Sequence, residues 1–215
     1  MIFPISASDV ICLKNRKYVV TNAAFAGARE GLYVLREGDA WYETACQFTK
    51  DRFQQCFGCE LTQFYPIIIT SWLKGELQAV VGVRSAVDGP LFLEQYLNSP
   101  VEMLLGDSSL ERSQIVEIGG FAAIDKMAAI PLMEKTANVL LEMGFAQAVC
   151  TANKPIRRCL SSINVPFEQL AVADVKMIQD PADNWGSYYA TAPFVLAGDI
   201  QTGAGAIDRL FQLAA

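Results

Sequence analysis

Histidine is absent from this 215-residue chain. That removes Ser-His-Asp and Cys-His catalysis and every histidine-ligated metal site. Any general base must then be a carboxylate, lysine, tyrosine, thiolate or water. Basic residues are scarce as well. Lys and Arg total 17 against 23 Asp and Glu, for a net charge of −6. A general nucleic-acid binder needs a basic face, so this balance disfavours one. It also disfavours simple attachment to anionic membranes. No apolar run approaches the roughly 20 residues that span a bilayer. The opening MIFPISASDV has neither the positive segment nor the clean apolar segment of a secretory signal, so a cytoplasmic location is expected. Charged residues make up only 19% and hydrophobic residues 52%, enough for a substantial core and contrary to disorder. Six cysteines include one C-x-x-C, Cys56 and Cys59, with no second pair. A structural zinc site needs about four ligands, so no metal is expected and the thiols read as reduced.

What is present is organised around 110–123, LERSQIVEIGGFAA. A β-favouring run, Ile115-Val116-Glu117-Ile118, breaks at Gly119-Gly120 just before a helical pattern. Such a strand end is where α/β folds offer backbone N–H groups to a ligand. Glu117 interrupts the run. A carboxylate there is paired, functional or exposed.

The rest of the chain supplies elements on both sides. Val10–Leu13 and Tyr18–Val20 flank a polar tetrad and read as a hairpin, and 23–38 is ambiguous. Trp41–Phe57 has helical periodicity, with Asp39 as its expected cap and Gly58 as its end. Phe64–Trp72 and Leu77–Val83 form a hairpin around Lys74-Gly75. Gly82 marks a bulge or a close backbone approach. Short helical turns follow near Phe92–Leu97 and after Pro100, the second capped by Ser99. Then come a helix at Met127–Met143, a strand at Phe145–Thr151, a helix at Pro155–Ile163 and a strand at Phe167–Ala173. Trp185–Tyr189 with Phe194–Ile200 reads as a last strand pair, and Ile207–Leu213 as a closing helix. The pattern predicts one α/β (α+β) domain over 1–215, with a mixed sheet, helices on both faces and a parallel strand–helix–strand unit.

FLEQYLNSPVEMLL (92–105), RSQIVEIGGFAA (112–123), FAQAVCTAN (145–153), LAVAD (170–174) and WGSYY with Pro193 occur in order. Together they resemble the thermostable haemolysin family, a GNAT-like branch similar to acyl-homoserine-lactone synthases and N-acyl amino acid synthases. The family usually shows a Glu-Val-Gly-Asn-Leu-Ala type run, so Gly120 stands where an amide side chain is expected. The phosphate loop of ordinary acetyltransferases is also missing, and 125–129 (DKMAA) takes its place. The resemblance implies a GNAT-like mixed sheet with splayed parallel strands. It implies an N-acyltransferase that uses acyl carrier protein or CoA thioesters as co-substrate, with a small amine such as an amino acid as acceptor. Its name offers the alternative of a membrane-active protein, and a non-catalytic acyl-binding pseudo-enzyme is a further one.

On that footing Ile118, Gly119, Gly120, Phe121, Ala122 and Ala123 would face the pantetheine arm, or the glycines only end a strand. Thr151 and Asn153 would bind the donor, or cap the next helix. Glu117 would be the base or would hold the substrate ammonium, unless an arginine such as Arg84 or Arg112 pairs with it. Glu94 and Tyr188 are further catalytic candidates, with a solvated helix face and a packed aromatic corner as their plainer readings. Arg84, Tyr96, Trp185 and Tyr189 would line an acceptor pocket. Lys154, Arg157 and Arg158 would dock an acidic carrier protein, or form a solvated helix face.

Overall fold

The computed structural model describes residues 10–14, 17–21, 30–107, 109–179 and 184–213. Nine strands form one sheet in the order β2-β1-β3-β4-β5-β6-β7-β9-β8. Strands β1 (Val10–Lys14) and β2 (Lys17–Thr21) make the expected hairpin. Its turn lies outside the described residues, as does much of the ambiguous 23–38 stretch, whose end is β3 (Gly31–Arg36). Helix α1 (Tyr42–Phe57) ends at Gly58 in the left-handed conformation, as its sequence predicts. The Asp39 cap is not made. Its carboxylate accepts the Arg36 N–H at 2.7 Å and closes the preceding turn, and Trp41, at φ +74, opens the helix instead.

Strands β4 (Ile67–Leu73) and β5 (Glu76–Ser85) turn on Lys74 and Gly75, both at positive φ. Such a turn matches the twist of the paired strands. The segment after β5 forms 3₁₀ turns at Phe92–Tyr96 and Val101–Met103. Pro100 precedes the second turn and no side chain caps it, so Ser99 has no capping role. Strand β6 (Ile115–Ala123) leads into α2 (Lys126–Glu142), whose first turn is capped by Asp125 accepting the Ala128 N–H at 2.9 Å. Next come β7 (Gln147–Ala152), α3 (Lys154–Ser162), β8 (Glu168–Val172), β9 (Phe194–Asp199) and α4 (Ile200–Leu213).

Trp185–Tyr189 is not a strand. Gly186 sits at φ +49, where a Cβ would come within 2.2 Å of the Phe57 carbonyl oxygen, and the chain turns there into a 3₁₀ segment at Tyr188–Thr191. The partners of β9 are β7 and β8.

Sheet alternation divides the core. From β3, Leu32 and Val34 pack with Ile69, Val81 and the α2 residues Leu132, Val139 and Leu140. Tyr33 and Leu35 point to the other face, with Ala45 and Phe53 of α1. Burying each such Leu or Ile contributes about 1.5–3 kcal/mol. All strand pairs are antiparallel except β6–β7, and that exception creates the site.

Candidate active site

β6 and β7 pair only from Ile115↔Gln147 to Ile118↔Cys150, and then diverge. From Gly119 to Ala123, β5 is the sole strand partner of β6 among the described residues, so the other edge of β6 carries backbone groups without a ladder. Open edges of this kind bind extended ligands by main-chain hydrogen bonds. Within the same stretch Val80 pairs with Ala122 and Gly82 with Gly119, so Gly120 and Phe121 together oppose Val81. This is a β-bulge. Gly120 takes φ +57. Glycine and asparagine both tolerate that region, which reconciles Gly120 with the amide residue expected there. A Cβ on Gly120 would meet only ordinary contacts, the nearest at 3.6 Å to Thr49.

Two cavities open from the divergence. The larger, about 980 Å³, lies under α2, α3 and α4, with walls that include Ile118, Phe121, Ala122, Ala123, Met133, Ala137, Leu140, Leu160 and Ile207. Arg52, Lys126 and Arg158 also line it. The smaller, about 110 Å³, lies on the α1 face and is walled by Phe64, Tyr65, Arg84, Phe92, Trp185 and Tyr189. Phe53, Gly119, Gly120, Thr151 and Tyr188 line both, so the cavities share one wall where the strands part.

Tyr65 carries no local sequence signal of its place in the site. Its ring lies on the sheet over the cross-strand pair Gly82↔Gly119. A Cβ on Gly82 would come within 2.5 Å of Tyr65 Cγ, and one on Gly119 within 1.9 Å of its hydroxyl oxygen. Gly82 therefore serves the close approach that its place in the strand implies, and the one signal available was two glycines in neighbouring strands. Burial pushes the Tyr65 phenol well above its usual range, so it stays protonated.

Thr151 and Tyr188 frame the opposite side. Tyr188 donates its hydroxyl to the Thr151 carbonyl at 3.2 Å. Burial raises the Tyr188 phenol far above neutrality. The Thr151 hydroxyl is buried and has no hydrogen-bond partner among the described residues. An orphaned polar atom lining both cavities is a ready contact for a bound group. Tyr96 and Tyr189 share a short hydroxyl–hydroxyl hydrogen bond, and only Tyr189 reaches the smaller cavity.

Glu117 is 1% exposed and lines neither cavity. Its carboxylate accepts the Phe92 N–H at 3.0 Å and the Leu93 N–H at 2.9 Å, pinning the first 3₁₀ turn to the sheet. Burial raises its pKa to about 7, against the lowering effect of those amides and of Arg84, its partner in register across β5. Arg112 pairs elsewhere, with Glu94 at 2.8 Å and Glu102 at 2.5 Å. Glu94 also accepts the Leu91 and Val101 amides. The Arg112 hydrogen bond holds its pKa down to about 2. A carboxylate so engaged is a poor proton acceptor near neutrality, and Glu94 is not brought to either cavity.

Asn153 caps α3 by accepting the Ile156 N–H at 3.1 Å, yet it also lines the larger cavity. In the basic cluster, Arg157 bonds to the Ala152 and Ala192 carbonyls and lies 4.4 Å over the Phe194 ring, so it is a strut. Lys154 and Arg158 are exposed. Among the described residues, no three His, Cys, Asp or Glu side chains are grouped to hold a metal. No helix among them is long and apolar enough to cross a membrane.

The model of one family, thermostable hemolysin, matches residues 35–204, which include every element from α1 to β9. This chain belongs to the thermostable hemolysin family. No curated protein sequence matches it. Among solved structures it is similar to the acyl-homoserine-lactone synthase LasI (12% identity, 84% of this chain and 95% of that one, TM-score 0.59). It is also similar to FeeM, an N-acyl amino acid synthase from uncultured soil microbes (14%, 81% and 92%, TM-score 0.57). A third is BjaI, a CoA-dependent acyl-homoserine-lactone synthase solved with SAM and isopentyl-CoA (14%, 78% and 82%, TM-score 0.53). At these identities the likeness establishes the fold: the hemolysin-family chain has the GNAT-like architecture of these synthases.

Proposed function

We propose that this hemolysin-family protein is an N-acyltransferase that moves a fatty acyl group from a pantetheine thioester to a small amine. The observation that carries the reading is the shared wall. A large, mostly apolar cavity and a small aromatic one meet where an open strand edge, Thr151 and Tyr188 converge. The larger volume is at the top of the roughly 300–1,000 Å³ range of small-molecule sites and suits an acyl chain with its pantetheine arm. The β6 edge from Gly119 to Ala123 would bind the pantetheine amides.

The amine enters from the smaller cavity, loses a proton and attacks the thioester carbonyl. The C–N bond forms and the C–S bond breaks. The departing thiolate takes up a proton, so that an ammonium and a thioester become an amide, a thiol and one released proton. Tyr65, held protonated, stands near the junction to donate to the developing oxyanion; Tyr188 would join it only by turning its hydroxyl away from the Thr151 carbonyl. Glu117 has a pKa suited to accepting the amine's proton, but its burial leaves only a path through water, with Arg84 beside it.

Carrier protein is the donor we favour over CoA. Asp125 places a carboxylate on the first turn of α2, where a CoA pyrophosphate would otherwise gain from the helix N-terminus. Arg52, Lys126 and Arg158 line the same cavity and Lys154 is exposed nearby, which suits one phosphopantetheine phosphate on an acidic partner.

The test is incubation with fatty acyl carrier protein or fatty acyl-CoA and a mixture of amines, followed by mass spectrometry for amides and assay of free thiol. Amide formed together with thiol supports the reading. Absence of both, or leakage of liposomes by pure protein without donor, overturns it.

Thr151→Val tests the donor contact. Removing an unpartnered buried hydroxyl should leave the melting temperature unchanged or raise stability by up to about 1 kcal/mol. The donor KM should rise several-fold. A clear loss of stability with an unchanged KM would show that the hydroxyl serves the fold alone.

A further inference from the structure

The smaller cavity contains a cation that the mechanism has not used. Arg84 is half-buried on its wall. Among the described residues, its guanidinium makes no hydrogen bond or ion pair; it faces the Tyr65 ring, whose centre is 5.8 Å from the guanidinium carbon, and feels the charge of Glu117 across the strand pair. The carboxylate opposite it in register, Glu117, accepts a backbone amide on each oxygen. Arg112, the other arginine of this region, has its donors taken by Glu94, Glu102 and the Ala86 and Gly89 carbonyls. Five planar donors held in an aromatic cavity without an acceptor match a carboxylate better than any neutral group.

Size narrows the class further. The cavity measures about 110 Å³. At roughly 30 Å³ per water, it holds the equivalent of three or four waters. A glycine- or alanine-sized head group suits that space, which opens outward rather than being sealed.

We infer that the acceptor is a small α-amino acid whose carboxylate is held by Arg84, with its amino group directed to the Gly119–Thr151 junction. The inference rests on the acyl-transfer reading for its chemistry, but not for its binding. Arg84 is thus a positioning residue that orients the amine by its neighbouring carboxylate. One carboxylate on a bidentate guanidinium separates an amino acid from its amide.

Two readouts test this. Glycine, alanine, glycinamide and S-adenosylmethionine are titrated calorimetrically into the full-length protein, alone and with an acyl-pantetheine thioether that cannot react. The same amines are then offered with acyl carrier protein, and amides are quantified. Glycine or alanine should bind, with glycinamide and S-adenosylmethionine at least tenfold weaker. Arg84→Gln should weaken the amino acid by about 10- to 100-fold, the size of one charge-assisted contact, without changing thioether affinity. Arg84→Lys should recover part of the loss. Amino acid binding without transfer from any donor keeps this inference and removes the acyl-transfer reading. Equal binding of glycine and glycinamide, or binding of S-adenosylmethionine in preference, overturns the inference and leaves acyl transfer standing. Failure of every amine to bind also overturns it.

Discussion

Gly119→Ala should destabilise the protein by about 3 kcal/mol, the upper end of the usual overpacking range, and lower acyl transfer by at least about 100-fold. The added methyl would come within 1.9 Å of the Tyr65 hydroxyl oxygen and 2.4 Å of its Cζ. The ring cannot settle by sliding along the strand pair, because Gly82 leaves it equally little room, with Tyr65 Cγ at 2.5 Å from a Cβ there. It must lift off the sheet, and the space above is the smaller cavity. Either packing is lost or the acceptor site is filled. Urea unfolding of Gly119→Ala, Tyr65→Leu and the double variant checks the cause. The double variant should be more stable than the sum of the single losses by about 1–2 kcal/mol, as expected for residues in direct contact. Gly120→Asn is the contrast: φ +57 suits asparagine and the nearest contact is 3.6 Å, so its stability should stay within about 1 kcal/mol of the parent. A Gly119→Ala protein that unfolds like the parent would show that Tyr65 does not rest on the glycine pair.

The second large effect is in pH. Burial raises the Glu117 carboxyl to about 7, above the roughly 4.5 of an unfolded chain. Between those values the folded protein binds more protons than the unfolded one, so stability falls as pH rises. The stabilisation from this group is complete below about pH 4.5 and is lost by about pH 7, a change of roughly 3 kcal/mol. Glu94 has the opposite sign and a different window. The Arg112 bond lowers it to about 2, so its contribution is complete above about pH 4.5 and is lost only on further acidification. Glu117→Gln should therefore abolish the decline between pH 4.5 and 7 while leaving the acid limb. It also replaces one acceptor of the Phe92 and Leu93 amides by an NH₂ group, so the variant is less stable than the parent at pH 5, and the gap narrows toward pH 7.5. Chemical denaturation across this range measures both. If Glu117 takes the proton through water, kcat/KM rises with a midpoint near 7 in the parent, and that limb disappears in Glu117→Gln. An unchanged profile would leave Glu117 as an anchor for the Phe92 turn alone.

Where local chemistry decides a feature, the chain could be read directly. Lys74-Gly75 dictates its turn, Asn153 its cap, and Ile115–Ile118 the strand that leads to the site. The closing helix begins at Ile200 rather than at Ile207; Gly203 and Gly205 dilute its pattern before Ile207. Aromatic residues at 185–189 favour strands on average, but Gly186 bends the backbone away from one. The harder cases depend on neighbours in space. No local signal says that Glu117 is bound by the amides of Phe92 and Leu93 rather than by Arg84 or Arg112. Equally, nothing near Tyr65 announces that its ring will cover two glycines 17 and 54 positions away. Arg84 and Glu94 look alike as isolated charges. Pairing with Arg112 takes Glu94 out of the site, whereas Arg84, with no hydrogen bond or ion pair among the described residues, stays on the cavity wall.

The wall between the two cavities is one layer of residues: Phe53, Gly119, Gly120, Thr151 and Tyr188 belong to both linings. Whatever presses on that layer from one side changes the shape met on the other. On the acyl-transfer proposal the affinities of donor and acceptor would therefore be linked, and linkage is reciprocal: a longer or bulkier acyl group that shifts Tyr188 would alter acceptor affinity by the same factor by which acceptor alters its own. Under that proposal chain-length preference and amine preference would not be tuned as separate traits, since each residue of the partition faces both cavities.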